Sequence, residues 1–294
     1  MKHPLNPAPL LIPRSLANAL LRLYDYPAPH LSGRVIRGYD RAHALRTARM
    51  SAAVAARLGH PRARLVAYQI ACLLHDLGRA GLDRRLFGTI WSWVRARGIP
   101  TRPREWRAVY PDTHYGRETE AFLARYGHEL KQAGIRLDAW AKEQIEMRLG
   151  YARRLARHLR ASKPALRELG VRWSSWMGQV MLYYYYPEKL DRAPAWVREL
   201  AEVLVACEQF EAFSNWRRGR DYYTRTRESF AEGFAYLDKL LKEGILSEGV
   251  MGAVHSLAAE GAFDDILAEA RGVALTRRDR AELRGLGPRV AACR

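Results

Sequence analysis

The chain has 294 residues and a mass of 33.6 kDa, and 48% of its residues are apolar. That content suffices for a sizeable core and excludes an intrinsically disordered chain. Lysine and arginine together number 49 against 31 acidic residues, so the net charge is +18 and the sequence pI is about 10.2. A field this positive favours anionic partners such as nucleotides, nucleic acid or an acidic membrane face.

Helical periodicity runs through the chain and period-two alternation is almost absent, so the sequence predicts an all-α fold. Asp40 is a suitable N-cap for a helix that ends near residue 58. Apolar or small residues recur every three or four positions over residues 43–58 and form the inward face of this helix. His43 is the first residue of that face, and we expect it to point toward the core. A second helix is apolar nearly all round and is expected to run to Leu77, with its end at Gly78.

Further along the chain, we expect loops with short helical pieces over residues 83–112 and a third helix from His114 to about residue 125. Four consecutive tyrosines follow at residues 183–186, and a strongly apolar helix follows at residues 194–213. The predicted organisation is an N-terminal arm (1–34), a helical bundle domain (35–235) with a basic helical insertion (128–175), and a C-terminal helical extension with a basic tail (236–294).

The cysteine content and the hydropathy pattern bear on location. Three cysteines (Cys72, Cys207 and Cys293) cannot make a disulfide framework, and their odd number fits a reducing compartment. The longest uncharged apolar run, residues 65–74, has half the length of a membrane span. Residues 1–23 are interrupted by prolines and arginines and do not resemble a signal peptide. We therefore expect a soluble cytoplasmic protein with no membrane span.

The pair His75 and Asp76 stands at the end of the apolar second helix. Burying an imidazole and a carboxylate there costs several kcal/mol unless something compensates for the lost hydration. A divalent metal compensates for both, because it accepts the histidine nitrogen and the aspartate oxygen as ligands. The alternative is an ordinary pair of capping residues, which is the commoner role of an isolated His-Asp dipeptide.

Other residues strengthen the metal interpretation. His43 precedes His75 by 32 residues, a separation that suits two antiparallel helices with their imidazoles side by side, although a lone core histidine is usually structural. Glu208 and Glu211 lie three residues apart in an apolar helix and therefore share a face. For Glu208 we favour a metal ligand. For Glu211, a metal and an arginine partner from the turn at residues 217–227 are equally good interpretations.

The order of His43, the pair His75 and Asp76, and the distant Glu208 resembles the HD superfamily of metal-dependent phosphohydrolases. The likeness extends to the HD-GYP branch, whose members hydrolyse cyclic di-GMP. That branch follows the His-Asp pair with Ile-Gly-Lys, and residues 77–79 of this chain are Leu-Gly-Arg. The resemblance implies an HD-domain-like helical bundle that carries out metal-dependent phosphoric-ester hydrolysis.

Three downstream features are similar to the same branch. His114 matches a histidine that precedes a small residue and a helix. Residues 206–213, with one residue inserted at Cys207, resemble the Ala-Asp-x-Phe/Tyr-Asp-Ala-Leu helix, and residues 220–222 resemble its Arg-x-Tyr turn. The resemblance covers residues 35–240.

One segment departs from the branch. Where the branch has His-His-Glu followed by Gly-Tyr-Pro, this chain has Tyr184, Tyr185 and Tyr186. Phenols have a pKa near 10 and are poor ligands beside imidazole, so two ligands of a second metal are missing. We therefore expect one divalent ion rather than two, with iron, manganese, nickel and zinc equally suited to its nitrogen and oxygen donors.

The resemblance assigns roles to particular side chains, which we state as expectations. Arg79 is expected to neutralise phosphate charge. In the tyrosine run, one or two rings should be core residues, and the others could form a shelf on which a base stacks. The complete expected set is His43, His75, Asp76 and Glu208 for the metal; Asp76, Arg79 and His114 for catalysis; and Arg79, His114, Tyr184, Tyr185 and Arg220 for the substrate.

Three functions are compatible with this pattern. The first is a metal-dependent phosphohydrolase or phosphodiesterase acting on a nucleotide, such as the cyclic dinucleotide cyclic di-GMP. The second is a degenerate relative that binds a nucleotide or a protein partner without turnover. The third is a basic helical protein that binds nucleic acid through residues 145–160, for which charge is the only support because no nucleic-acid-binding motif is present.

Overall fold

The computed structural model describes residues 8–28, 33–216 and 229–285. These residues are 69% helical, with 14 α-helices and a single two-stranded sheet, so the predicted all-α fold is confirmed. The sheet pairs β1 (Tyr26–Pro27) antiparallel with β2 (Val35–Ile36). None of the described helices combines the length and the apolar character that crossing a bilayer requires.

The helices, in chain order, are α1 (Arg14–Arg22), α2 (Arg41–Arg57), α3 (Arg62–Leu73), α4 (Arg84–Ala96), α5 (Pro103–Val109), α6 (Glu118–Gln132), α7 (Ala139–Leu149), α8 (Tyr151–Glu168), α9 (Ser175–Leu182), α10 (Ala195–Ser214), α11 (Phe230–Lys242), α12 (Glu248–Ala259), α13 (Asp264–Arg271) and α14 (Arg277–Gly285). Short 3₁₀ turns cover Leu77–Arg79 and Pro187–Leu190.

Helices α2 and α3 form a helical hairpin that carries the two predicted histidine sites. Helix α2 follows Asp40 as expected and stops before Gly59, whose φ of +86° lies in the left-handed region that glycine adopts without strain. The Asp40 side chain makes no capping hydrogen bond, contrary to prediction; its carboxylate lies 3.5 Å from the Nε atom of Arg79. His43 is buried, as the inward stripe predicted.

Helix α10 is the central element of the bundle. It packs against α2, α9, α11, α12 and α13, and most of its side chains from Val197 to Glu211 are buried. Because a helix buried on nearly all sides needs apolar residues all round, its composition explains this position. The packing brings Glu208 and Glu211 of α10 against the hairpin that holds His43.

The buried apolar residues form two clusters. The main core contains side chains of α1–α3 and α8–α14, and it extends from Ala8 to Leu283. The aromatic core contains side chains of α4–α7 between Leu82 and Leu149. The predicted domain limits remain predictions. Within the described residues, however, the N-terminal arm and the C-terminal extension share one core with α2 and α3, and the region 128–175 contributes to both cores.

Two predicted elements differ from the structure. Residues 84–96 form a full amphipathic helix, α4, rather than loops, because Asp83 caps it by accepting hydrogen bonds from the amides of Arg85 and Leu86. The third predicted helix begins at Glu118 rather than at His114. Gly116, with a φ of +78°, forms a turn in which the amide of Arg117 donates to the carbonyl of His114.

Candidate metal centre

The pair His75 and Asp76 lies in a turn, not at the end of a helix as predicted. Helix α3 ends at Leu73, four residues before the expected end, because buried tyrosines bind the backbone there. The Tyr24 hydroxyl donates to the carbonyl of Leu73 at 2.9 Å and accepts from the amide of Asp76 at 3.2 Å. The Tyr151 hydroxyl donates to the carbonyl of His75. These bonds satisfy the groups that the early helix end exposes.

Both tyrosines are held in the protonated form that donates these bonds. Burial, followed by the charge of Asp76, raises the pKa of Tyr24 and of Tyr151 well above the ordinary value. Gly78 was predicted to end the second helix. Its role in the structure is a close approach instead, since a Cβ atom there would lie 2.7 Å from the Cε2 atom of Tyr151.

The imidazole of His75 is oriented by its own helix. Its Nδ1 atom lies 2.7 Å from the carbonyl oxygen of Cys72, so Nδ1 carries the proton and Nε2 presents its lone pair. The Nε2 atom is buried and has no hydrogen-bond partner among the described residues. An acceptor nitrogen buried in this way is costly unless a cation or a donor completes it.

His43 faces His75 across the hairpin. The two ring centroids lie 5.2 Å apart with an interplanar angle of 62°, so the rings meet edge to face. The Nδ1 atom of His43 contacts the Oε2 atom of Glu211, which leaves Nε2 on the side of His75. The Oδ2 atom of Asp76 lies 3.7 Å from Nε2 of His43 and 3.9 Å from Nε2 of His75.

Three of the four predicted ligands form a group that could hold a metal ion. One ligand atom from each of His43, His75 and Glu208 lies within 4.8 Å of the other two, and we call these residues the metal group. Metal–nitrogen and metal–oxygen bonds are about 2.0–2.2 Å long, so two ligands of one ion are at most about 4.4 Å apart. Ligands of one tetrahedral ion lie about 3.3–3.6 Å apart, so these side chains would bring all three atoms onto one ion by moving together by about 1 Å or less.

Asp76, the fourth predicted ligand, lies beside this group without belonging to it. It is 1% exposed, and its Oδ2 atom forms an ion pair with Nη1 of Arg79 at 3.1 Å. The carboxylate therefore faces both imidazoles and a guanidinium at once. Arg79 is itself buried, and its Nε atom lies 3.5 Å from Asp40.

Glu211 has an arginine partner and not a position in the metal group. Its Oε1 atom accepts from Nε of Arg46 at 2.7 Å and from Nδ2 of Asn215 at 2.9 Å, while Oε2 contacts His43. This arginine comes from α2. The turn at residues 217–227 lies outside the described residues, so a partner from that turn stays a prediction. Glu211 therefore orients a predicted ligand, as carboxylates commonly do behind metal-bound histidines.

A cleft lined by arginines adjoins the metal group. Glu208 belongs both to that group and to the wall of this cleft, which has a volume of about 100 Å³. Of the predicted substrate residues, Arg79, Tyr184 and Tyr185 line it. Of its other three arginines, Arg148 belongs to the stretch 145–160 that the third predicted function assigned to nucleic acid, and sequence reasoning did not single out Arg95 and Arg102. We name as the arginine cleft the space bounded by Arg79, Arg95, Arg102, Arg148, Tyr184, Tyr185 and Glu208.

The tyrosine run divides between core and cleft. Tyr183 and Tyr186 are buried in the packed interior, as expected for part of the run, and the segment leaves the helix after Leu182. Tyr184 lies 4.5 Å beneath the guanidinium of Arg102, and burial raises the pKa of its phenol well above the ordinary value. Tyr185 stacks on Tyr151 with 4.4 Å between ring centroids. A base-stacking role for Tyr184 and Tyr185 stays a prediction.

Two predicted site residues are not brought into the metal group. His114 is exposed in the loop before α6, although we expected it to contribute to catalysis and substrate binding. Arg220 lies outside the described residues, so the prediction that it binds substrate stays a prediction. The loop position of His114 follows from the later start of α6, because a side chain ahead of the helix does not share its inward face.

Several arginines of residues 145–160, the basic stretch that the third predicted function assigned to nucleic acid, have partners within the protein. Arg154 is 1% exposed and donates to the carbonyls of Gly78 and Ala80 at 2.8 and 2.7 Å, so it supports the backbone next to the His-Asp turn. Arg153 pairs with Glu120 and Arg157 pairs with Glu146. Arg154 is therefore not available to contact nucleic acid. The sequence pattern of a helix this rich in arginine does not distinguish a buried arginine from an exposed one.

The geometry thus consists of two oriented imidazoles, a nearby pair of carboxylates and an arginine-lined cleft. The residue types and contacts described above define the site. No family model matches the chain, and neither a curated protein nor a solved structure matches it.

Proposed function

We propose that this protein is a divalent-metal-dependent phosphohydrolase that acts on a phosphoric ester, with a nucleotide as the expected substrate. One observation carries this proposal: the ligand atoms of His43, His75 and Glu208 lie within 4.8 Å of one another beside a cleft lined by arginines. Cation ligands and phosphate-binding groups thus adjoin each other, which is the arrangement that hydrolysis of a phosphoric ester requires.

The donor set fits a divalent transition metal. His43 and His75 would supply nitrogen atoms and Glu208 an oxygen atom, with Asp76 as a fourth ligand after a small movement. One ion is proposed rather than two, because the resemblance aligns Tyr184 and Tyr185 with ligands of a second ion in the HD-GYP branch, and phenols are poor ligands. When bound, such an ion lowers the pKa of a water ligand from 15.7 toward neutrality and polarises a phosphoryl oxygen.

The remaining groups position and neutralise the substrate. Arg79, held by Asp76, reaches the arginine cleft and can stabilise negative charge on a phosphoryl group. The Nδ1 contacts of both histidines keep their Nε2 atoms available as acceptors. The proposed relationship is to a degenerate HD-GYP-type protein of the HD superfamily, with the cyclic dinucleotide of that branch as the substrate that the resemblance implies.

Elemental analysis and a hydrolysis assay test the proposal together. We expect purified protein to retain stoichiometric metal and to hydrolyse a nitrophenyl phosphate or a nucleotide in the presence of manganese. The variants His75→Ala and Glu208→Ala should lose both properties, while the exposed His128→Ala should retain them. Protein that binds no divalent metal, or whose turnover survives His75→Ala, would contradict the proposal.

The alternative is a protein that binds a nucleotide without turnover. The ion pair between Asp76 and Arg79 favours it, because the oxygen nearest to both imidazoles is already engaged by a guanidinium at 3.1 Å. This alternative predicts bound metal and saturable nucleotide binding, with no hydrolysis by the wild-type protein above that of the His75→Ala variant.

A further inference from the structure

We infer that the arginine cleft recognises the dianionic end of a phosphomonoester, so that the substrate is a monoester rather than a phosphodiester. For turnover this inference rests on the proposed function, whereas for binding it rests on the charge, size and rigidity of the cleft. It narrows the substrate class and departs from the cyclic dinucleotide that the resemblance implies.

Charge is the first reason. Arg79, Arg95, Arg102 and Arg148 line the cleft, and one carboxylate, Glu208, lines it with them. Three further carboxylates contact these arginines from outside the cleft, namely Asp40, Asp76 and Glu105. Among the described residues, these four arginines face four carboxylates, and a bound divalent cation would add two positive charges.

That balance matches a monoester better than a diester. A phosphomonoester carries about −1.5 to −2 at pH 7, and its three terminal oxygens all accept hydrogen bonds. A phosphodiester carries about −1 and offers two such oxygens. With the cation in place, a dianion offsets both of the added positive charges, whereas a diester offsets one of them.

Size is the second reason. The volume of about 100 Å³ is well below the roughly 300–1,000 Å³ of pockets that enclose a drug-sized ligand. A space of this size holds a phosphate group while the rest of the ligand stays outside. A monoester has one organic substituent to pass through the opening. A diester has two, and both would have to leave through the same opening.

Rigidity is the third reason. Arg102 donates to Glu105 at 3.1 Å and to the hydroxyl of Tyr236 at 2.8 Å, and it also stacks on Tyr184. Arg148 donates to Thr101 at 3.0 Å. Arginines fixed in this way lose little side-chain entropy when an anion binds, so the cleft is organised before the ligand arrives.

The experiment uses the manganese-loaded full chain. It compares the hydrolysis of two substrates and measures the binding of inorganic phosphate, the product of monoester hydrolysis. We expect kcat/KM for 4-nitrophenyl phosphate to exceed that for bis(4-nitrophenyl) phosphate by about tenfold or more, and inorganic phosphate to bind in calorimetry. Arg95→Gln should weaken phosphate binding by about tenfold, the cost of one charge-assisted hydrogen bond. The matched control is Arg85→Gln, which removes an exposed arginine from the same helix and should leave phosphate binding unchanged.

A second variant guards against misfolding. Arg148→Lys keeps the positive charge and removes the two-pronged guanidinium, so it should weaken phosphate binding less than Arg95→Gln if charge dominates, while its thermal unfolding stays cooperative. Preferred hydrolysis of the diester, or phosphate binding that Arg95→Gln and Arg85→Gln affect equally, would overturn the inference. Phosphate binding that depends on Arg95, in a protein without turnover, would remove the proposed hydrolysis and support monoester recognition.

Discussion

The main core and the aromatic core pack helices of the same chain with different chemistry. In the main core, His43, Arg46 and Glu211 are buried together and joined by hydrogen bonds. In the aromatic core, Trp91 and Trp106 pack against a shared phenylalanine at ring distances of 6.0 and 5.8 Å. Charged groups are expensive to bury and aromatic rings are favourable to bury, so only the first arrangement needs an explanation beyond stability.

The main core and the aromatic core also differ in the groups that surround their buried charged residues. Glu118 at the edge of the aromatic core is fully buried and pairs with Arg107 through Oε1, while its Oε2 atom has no hydrogen-bond partner among the described residues. In the main core, the polar groups orient one another toward a common point, where Nε2 of His75 has no hydrogen-bond partner among the described residues. The difference is that the main core brings two imidazoles and a carboxylate within 4.8 Å of one another, a group that could hold a metal ion, whereas no such group occurs among the described residues of the aromatic core.

The largest expected effect tests whether the aromatic core serves stability alone. Trp106→Ala should lower the free energy of unfolding by about 3–5 kcal/mol, because it removes a completely buried ring from the cluster. Chemical denaturation measures the loss, and the folded protein should retain its metal. The half-buried Trp93→Ala should cost clearly less. Loss of metal from folded Trp106→Ala would show that the two regions are not separable in this way.

Next in size is the removal of a proposed ligand from the main core. His75→Ala should lower the affinity for manganese by about 100-fold or more, since even the loss of a group behind a ligand commonly costs 10–100-fold. The measurement is the rise in melting temperature on adding manganese, which follows from binding to the folded state. That rise should disappear in His75→Ala and persist in the exposed His128→Ala. An unchanged rise in His75→Ala would refute the metal group.

A smaller effect on manganese affinity should distinguish the two carboxylates that contact Arg46. Glu211→Gln should reduce manganese affinity by about 10–100-fold, because an amide holds the His43 ring less firmly than a carboxylate does. Glu269→Gln is the matched control, since Glu269 also contacts Arg46 and is 43% exposed on its side chain. Titration of both variants with manganese measures the difference. Equal affinities would mean that Glu211 has no part in orienting His43.

The smallest effect concerns His158, an imidazole without a ligand role. Burial, followed by Arg154 and Arg157, lowers the pKa of His158 to about 4. A histidine with a depressed pKa binds more protons in the unfolded state, so its contribution is complete above pH 6.5 and is lost as the pH falls toward 4. The loss is at most about 3 kcal/mol and is reduced by the partial exposure of the ring.

Replacing the imidazole of His158 should make the free energy of unfolding depend less on pH in the acid range. We expect His158→Gln to have a smaller slope of unfolding free energy against pH between about pH 6.5 and 4, with little change at pH 7. Denaturation at a series of pH values measures this slope. An identical slope in the wild type and in His158→Gln would mean that folding does not lower the pKa of His158.

Much of the fold could be predicted from the sequence. The all-α class, the start of α2, the inward position of His43 and the burial of part of the tyrosine run follow from periodicity and from single turn residues. The end of α3 could not be predicted, because hydroxyl groups of Tyr24 and Tyr151 decide it from distant parts of the chain. Helix α4 was missed because arginine and tryptophan are uninformative until the partners of their apolar face are known.

The candidate site shows the same division. The types of residue that could hold a metal were evident from His43, His75 and Glu208, because each is a titratable group in or next to a helix with a buried apolar face. Which groups lie behind these residues was not evident. Arg46 as the partner of Glu211, and the arginines of α4 and α7 as the cleft wall, depend on how helices pack against one another.

The sequence by itself determined the helical class, the strong positive charge and the presence of titratable groups on buried helix faces, since each depends on local composition and a period of 3.6 residues. Only the tertiary structure decided where α3 ends, which nitrogen of His75 is available and which arginines surround Glu208. The physical reason is that hydrogen bonds and ion pairs depend on distance in space, and residues as far apart as 43 and 211 meet only after the helices have packed.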